Sequence, residues 1–261
     1  MYYYIVDPQK LSQREFERVQ NLLYSSLSEF RISGEVVRVT GLRTVLQLVE
    51  NAFAHEAKTI VAVGSDETLH EVINAIGKRE MVVGFIPISS SEIADIFGIK
   101  DIVHAVKTIA FRRIELIDLG IVNNNYFLSK ISFGIDHEQG LRSLLNLPKY
   151  EIKFSADEKY QANQTVVAAL IVDHKKTDGL LDVLLLPPLS KWQTIIHRRQ
   201  ILNGNFEKIS QASVLHVKKI EIVEPTGLPL KIESRVITRT PAIITVAPAQ
   251  LRMIVGKDRK F

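Results

Sequence analysis

Residues 60–77, IVAVGSDETLHEVINAIG, decide the reading of this chain. Apolar and small residues lead into Gly64-Ser65-Asp66-Glu67-Thr68. Leu69, Val72, Ile73 and Ile76 follow at i, i+3, i+4 and i+7, the spacing of one helix face. The pattern predicts a strand, a tight turn and a helix N-terminus. Backbone N–H groups and the positive end of a helix dipole gather at such a turn, which suits a phosphate. Glu67 works against that use, because it puts a carboxylate where a phosphate loop takes glycine. The same residues also read as a capped helix with no phosphate. Asp66 or Ser65 then caps the first turn, and Glu67 favours the dipole by roughly 0.3–1 kcal/mol.

On both sides of this stretch the first half alternates strand and helix. Residues 2–6, 35–39, 59–63 and 81–86 read as strands. Ser12-x-x-Glu15 is a capping box that opens a helix with Phe16, Val19, Leu23 and Leu27 on one side. Val45, Leu48, Val49 and Ala52 mark a second helix, and residues 102–110 another. Repeated β-α units of this length predict a parallel sheet with helices on both faces. Ligands of such sheets sit beyond the carboxyl ends of the strands. Thr40, Gly64 to Thr68 and the triple serine Ser89-Ser90-Ser91 all follow strands, so three loops are expected to converge on one edge. The serines read equally as a cap for the helix after them.

From about Ile114 short β-type runs take over: 114–122, 126–133, 165–172, 181–186, 217–223, 242–246 and 251–255. Asn123-Asn124-Asn125 is a hairpin signal. Helical interruptions are expected near 139–145 and 191–202. The fold class is therefore α/β, with an N-terminal parallel-sheet domain over residues 1–115. A C-terminal β-rich, antiparallel, sandwich-like domain covers 116–261, its last strands being free to return to the first.

Composition narrows the function classes. The chain has 261 residues, net charge +4 and no cysteine, which removes disulfides, thiolate zinc sites and a cysteine nucleophile. A cytoplasmic setting fits. The opening MYYYIVDPQK has no basic segment ahead of an apolar run, so no signal peptide is expected. No apolar run reaches the roughly 18 residues of a membrane span. The basic pairs Arg112-Arg113, Lys175-Lys176, Arg198-Arg199 and Lys218-Lys219, with the cluster at 257–260, read either as solvated faces or as weak attraction to anionic lipid or a phosphorylated ligand. Aromatics are not interleaved with them, so no nucleic-acid partner is expected. His70 and His137 lack metal-ligand spacing.

Five segments in order resemble the diacylglycerol kinase catalytic-domain family, which includes bacterial lipid kinases and sphingosine kinases. Its G-G-D-G-T-x-x-E-V-x-N motif corresponds to Gly64-Ser65-Asp66-Glu67-Thr68-Leu69-His70-Glu71-Val72-Ile73-Asn74. Its G-x-x-P-x-G-T-x-N-x-x-A-x-x-L-G-I motif corresponds to Gly84-Phe85-Ile86-Pro87 through Ala94-Asp95-Ile96-Phe97-Gly98-Ile99, with serines in place of the Gly-Thr-x-Asn core. Phe133-Gly134-Ile135-Asp136 is similar to its G-F-D segment, Asp178-Gly179-Leu180-Leu181-Asp182-Val183 to its D-G-x-L-D-V, and residues 240–252 to its terminal T-P-x-x-I-x-V-x-P-x-x-L-R. NAD kinases share the glycine-rich motif, but the later segments favour the lipid-kinase branch.

The resemblance implies a nucleotide-binding-like first domain and ATP-dependent phosphorylation of a lipid hydroxyl such as that of diacylglycerol. It implies ATP contacts at Thr40, Gly64, Ser65, Asp66, Glu67, Thr68, Ser89 and Ser90. It implies magnesium at Asp178, with carbonyls of Lys175 and Leu180. Asp66 and Glu233 are the implied catalytic acids, Glu233 standing in the family's D-G-E segment and Arg235 replacing that segment's Glu. Asp178 and Asp182 also read as turn residues between strands.

The sequence departs from the family where phosphate should bind. The early N-P-x-S-G turn is Asp7-Pro8-Gln9-Lys10-Leu11, without glycine. A Glu67 carboxylate about 4 Å from a phosphate charge, at an effective dielectric of 20, costs roughly 4 kcal/mol. That weakens ATP binding on the order of a thousandfold, unless the side chain turns outward. The expectations are a lipid kinase with reduced activity, a non-catalytic binding or regulatory relative, or a kinase of a soluble small molecule. Peripheral contact with a membrane surface and a homodimer stay open.

Overall fold

The capping box at Ser12 forms as its spacing predicts. The Ser12 N–H donates to Glu15 Oε2 at 2.9 Å, and the Glu15 N–H donates back to Ser12 Oγ at 3.4 Å. The helix it opens, α1 (Gln13–Glu29), follows β1 (Tyr2–Val6). The alternation continues through β2 (Gly34–Arg38), α2 (Val45–Ala54), β3 (Thr59–Gly64), α3 (Asp66–Ile76), β4 (Val82–Pro87), the short α4 (Glu92–Ile96) and α5 (Ile102–Phe111). The computed structural model describes residues 1–8, 11–135, 140–172, 179–232 and 235–261. These divide into two compact units: Met1–Ile117 with Ala249–Phe261, and Asp118–Pro248.

In the first unit the strands are parallel in the order β2-β1-β3-β4. Every residue of β3 is buried, as a parallel strand covered on both faces requires. Ile60, Val61, Ala62 and Val63 are fully inaccessible. Burying a Val or Ile side chain contributes roughly 1.5–3 kcal/mol, so this short run anchors the sheet. The strand order reverses direction between β1 and β3. That switch point opens a crevice beyond their carboxyl ends.

The second unit holds most of β5 (Ile114–Val122), then β6 (Asn125–Phe127), β7 (Lys130–Phe133), α6 (Leu141–Leu144), β8 (Tyr150–Ala156), β9 (Tyr160–Val166), β10 (Ala168–Val172) and β11 (Leu181–Leu186). Next come α7 (Lys191–Ile196), α8 (Arg198–Leu202), β12 (Ser213–Val217), β13 (Lys219–Val223), β14 (Pro229–Ile232), β15 (Arg235–Arg239) and β16 (Ala242–Ile254). One sheet is β12-β11-β10-β7-β14-β15. The other brings together β9, β8, β13 and the first part of β16. Their inner faces share one core, with Ile152, Phe154, Ile220 and Ile244 from one sheet and Phe133, Ile171, Val183 and Leu230 from the other. This is an antiparallel sandwich. The end of β16 lies in the first unit, parallel to β4 with Arg252 opposite Val82. The chain after it is held to α4 and its exit by Gly256 N–H to Phe97 O at 2.8 Å and Lys260 N–H to Ile96 O at 2.9 Å.

The fold class is the one the periodicity predicts, but several strands are cut differently. Residues 217–223, expected as one strand, are β12 and β13 in different sheets. The Asp157 carboxylate accepts the backbone N–H groups of Lys218 and Lys219, each at 2.9 Å, and holds the crossing. The 165–172 run likewise breaks at Val167, β9 lying in one sheet and β10 in the other. Residues 242–246 and 251–255, expected as two strands, form the single long β16. A hairpin closes between β5 and β6 with Asn123 at φ 52°, as the asparagine run predicts.

Candidate functional site

The loops at the carboxyl ends of β1, β2, β3 and β4 carry the sequence-predicted nucleotide residues. Gly64 closes β3 and is required by a close approach: a Cβ there would lie 2.7 Å from Thr68 Cβ. The Ser65 N–H donates to Thr68 Oγ1 at 3.2 Å, and that hydroxyl donates to Asp7 Oδ2 at 2.9 Å. Asp7 and Thr68 are both buried, and the Asp7 N–H donates to Val63 O at 2.9 Å. The loops after β1 and β3 are thus tied together across the switch point.

Asp66 is buried in the first turn of α3, and its carboxylate accepts the Ser91 hydroxyl and the Ile93 N–H. Ser91 Oγ accepts the Ala94 N–H at 2.8 Å, so Asp66 and Ser91 together cap α4. The Ile88 N–H donates to Gly64 O at 3.1 Å. Glu67 is half-buried beside Asp66 in that same first turn. Thr40 is exposed, and its hydroxyl accepts the Arg43 N–H at 3.1 Å to close a tight turn. Ser89 and Ser90 are exposed. The loops that hold Thr40, Gly64 to Thr68 and Ser89 to Ser90 therefore belong to one strand edge of the first unit.

Chemically this edge is a helix N-terminus whose positive end is met by the protein's own acids. Asp66 and Glu67 stand in the first turn of α3, and Asp7 is bonded to its Thr68. Negative charge in this first turn draws on the same dipole that a bound phosphate would. The Thr68 hydroxyl spends its single proton on Asp7. Asp7 was legible in the sequence only as a departure from the family turn; its bond to Thr68 joins residues 61 positions apart and left no local signal.

The second unit holds the remaining predicted residues. Glu233, Lys175 and Asp178 lie outside the described residues. Leu180 is half-buried next to Gly179, whose N–H donates to Oδ2 of buried Asp118 at 3.0 Å. Sequence reasoning missed Asp118, although an acid inside the apolar run of β5 is a recognisable signal. Asp182 lies within β11, not in a turn, and pairs across the strands with His216 Nδ1 at 2.5 Å. Arg235 opens β15. Among the described residues no group of three or more His, Asp or Glu is placed to hold a metal. No described helix is long and apolar enough to cross a membrane.

Residues 2–122 match the diacylglycerol kinase catalytic domain. That segment is just under half of the chain, and it is the part that is similar to the diacylglycerol kinase catalytic-domain family. The glycine-rich loop of this family falls on the turn between β3 and α3, and its serine-substituted second motif on the turn between β4 and α4. A diacylglycerol kinase structure from Bacillus anthracis str. Sterne superimposes with a TM-score of 0.81 at 17% identity, covering 98% of this chain and 97% of that one. An NAD kinase from Archaeoglobus fulgidus, solved in complex with ATP, superimposes with a TM-score of 0.56 at 12% identity, covering 99% and 95%. At these identities the likeness is one of fold. The comparison with curated proteins returned no match.

Proposed function

We propose that this chain is a lipid-kinase-family protein that has lost effective phosphate transfer from ATP and serves as a non-catalytic binding or regulatory relative. The observation that carries this reading is Glu67, an acid in the first turn of α3 where the family has glycine. Glu67 stands half-buried beside two buried acids: Asp7, bonded to Thr68, and Asp66, bonded to Ser91 and Ile93. A nucleotide phosphate brought to α3 would meet the Glu67 carboxylate where the family has a glycine, Asp66 being an acid the family motif shares. One such charge at about 4 Å costs roughly 4 kcal/mol at an effective dielectric of 20.

In this reading Asp66 braces two loops and does not act as an acid. Its bonds to Ser91 and Ile93 hold α4 against the start of α3. Glu233 keeps an acid where the family places its base, but it lacks the companion glutamate that Arg235 replaces. The ligand retained is a lipid or another small alcohol, taken up in the β-rich unit at a cytoplasmic membrane surface. Magnesium, when bound, would neutralise phosphate charge; Asp178 and the carbonyls of Lys175 and Leu180 are the residues carried over for it.

A second reading, a weakly active lipid kinase, draws on two preserved features. Gly64 still permits its close turn, and the Gly179 turn still docks on Asp118. Incubation with Mg-ATP and mixed diacylglycerols and sphingoid bases separates the two. The proposal expects no phosphorylated lipid above a protein-free control. A lipid phosphate formed with turnover would overturn it in favour of the kinase.

A further inference from the structure

Two basic clusters that the sequence keeps about 140 residues apart meet in the first unit. Lys107 and Phe111 lie on one face of α5, and Arg113 stands between α5 and β5. Lys257 comes from the segment after β16. Together they line a cavity of about 460 Å³. Arg113 O accepts the Val255 N–H at 2.9 Å, which clamps the two segments side by side. Lys107, Arg113 and Lys257 are exposed, and none forms an ion pair with a described residue. Their neighbours do: Asp258, on the same rim, faces Lys100 at 3.6 Å. His104 Nδ1 accepts the Lys100 N–H at 3.4 Å, which leaves Nε2 to carry the ring proton and donate. Phe111 is 74% exposed at the rim, with Lys107 Nζ 5.9 Å from its ring centroid.

We infer that this cavity is a binding site for a phosphate-bearing ligand with an apolar portion. Three cations without an ion-pair partner among the described residues and an N–H donor line a concave surface, and a phosphate dianion offers several strong acceptors to them. Leaving three like charges together is unfavourable for the free protein, and an anion relieves it. The exposed ring supplies apolar contact for whatever the phosphate is attached to. The site shares no residue with the loops at the strand ends, so it stands whether or not those loops bind ATP. The phosphate belongs either to an anionic phospholipid headgroup or to a soluble phosphate ester, and the two sources are separable.

The test uses the full chain without nucleotide, titrated in one arm with phosphatidylglycerol vesicles and in the other with glycerol phosphate. The wild type should bind in at least one arm. Vesicle binding alone identifies the lipid headgroup; glycerol phosphate binding alone identifies the soluble ester. Replacing Lys107, Arg113 and Lys257 by Gln should weaken that binding on the order of a hundredfold at low salt. Phe111→Glu, a single exposed change, should also abolish it. A control with Arg198, Arg199 and Lys218 replaced by Gln removes the same charge elsewhere. No binding by the wild type in either arm would overturn the inference, as would an equal loss in the control.

Discussion

The carboxyl edge of β1–β4 and the flank of α5 belong to the same unit and have exchanged chemistries. The edge inherits the position and the turn of an anion site, yet its polar groups are turned inward. Thr68 serves Asp7, and Asp66 serves Ser91 and Ile93. The flank carries none of the five quoted motifs, yet it holds three cations without carboxylate partners among the described residues around a cavity. Position in a fold does not set what a surface binds; the balance of satisfied and unsatisfied charge does.

The comparison breaks if removing the edge acids changes nothing. Asp7→Asn with Glu67→Gly should raise Mg-ATP affinity on the order of a thousandfold, most of it from Glu67. Calorimetric titration of the double variant checks this. A smaller effect concerns stability. Thr68→Val leaves buried Asp7 without its hydroxyl donor and should cost about 1–3 kcal/mol in urea unfolding. Ser91→Ala removes the cap of α4 and a partner of Asp66, for about 1–2 kcal/mol. Lys107→Gln on the flank should stay within about 0.5 kcal/mol of wild type, because an unpaired exposed cation holds nothing in place. Comparable losses at Lys107 and Thr68 would show that the flank is structural as well.

Much of the first unit was legible because its signals are local. The capping box at Ser12, the period of α3 and the apolar run of β3 each fit in one window, and each forms where expected. The second unit was legible in class but not in cut. β8, YEIKFSA, alternates inward and outward residues, but it sits in a polar stretch and is not among the expected strands. The breaks at Val167 and Lys218 are invisible to periodicity, because a strand that changes sheets keeps its alternation. At the edge, Thr40, Gly64 to Thr68 and the serines were placed after strands correctly. What they bond to was not legible, since the links Asp7–Thr68 and Asp66–Ser91 span 61 and 25 residues. The α5 cavity was hidden for the same reason. Its basic pairs were visible as composition, and only the return of β16 brings them together.

The central claim is that the turn between β3 and α3 carries acids of the protein's own where a nucleotide phosphate would otherwise bind. Titration of the wild-type protein with Mg-ATP by calorimetry tests it most directly. The account predicts no saturable heat up to millimolar nucleotide. A single-site isotherm with a dissociation constant in the micromolar range would contradict it.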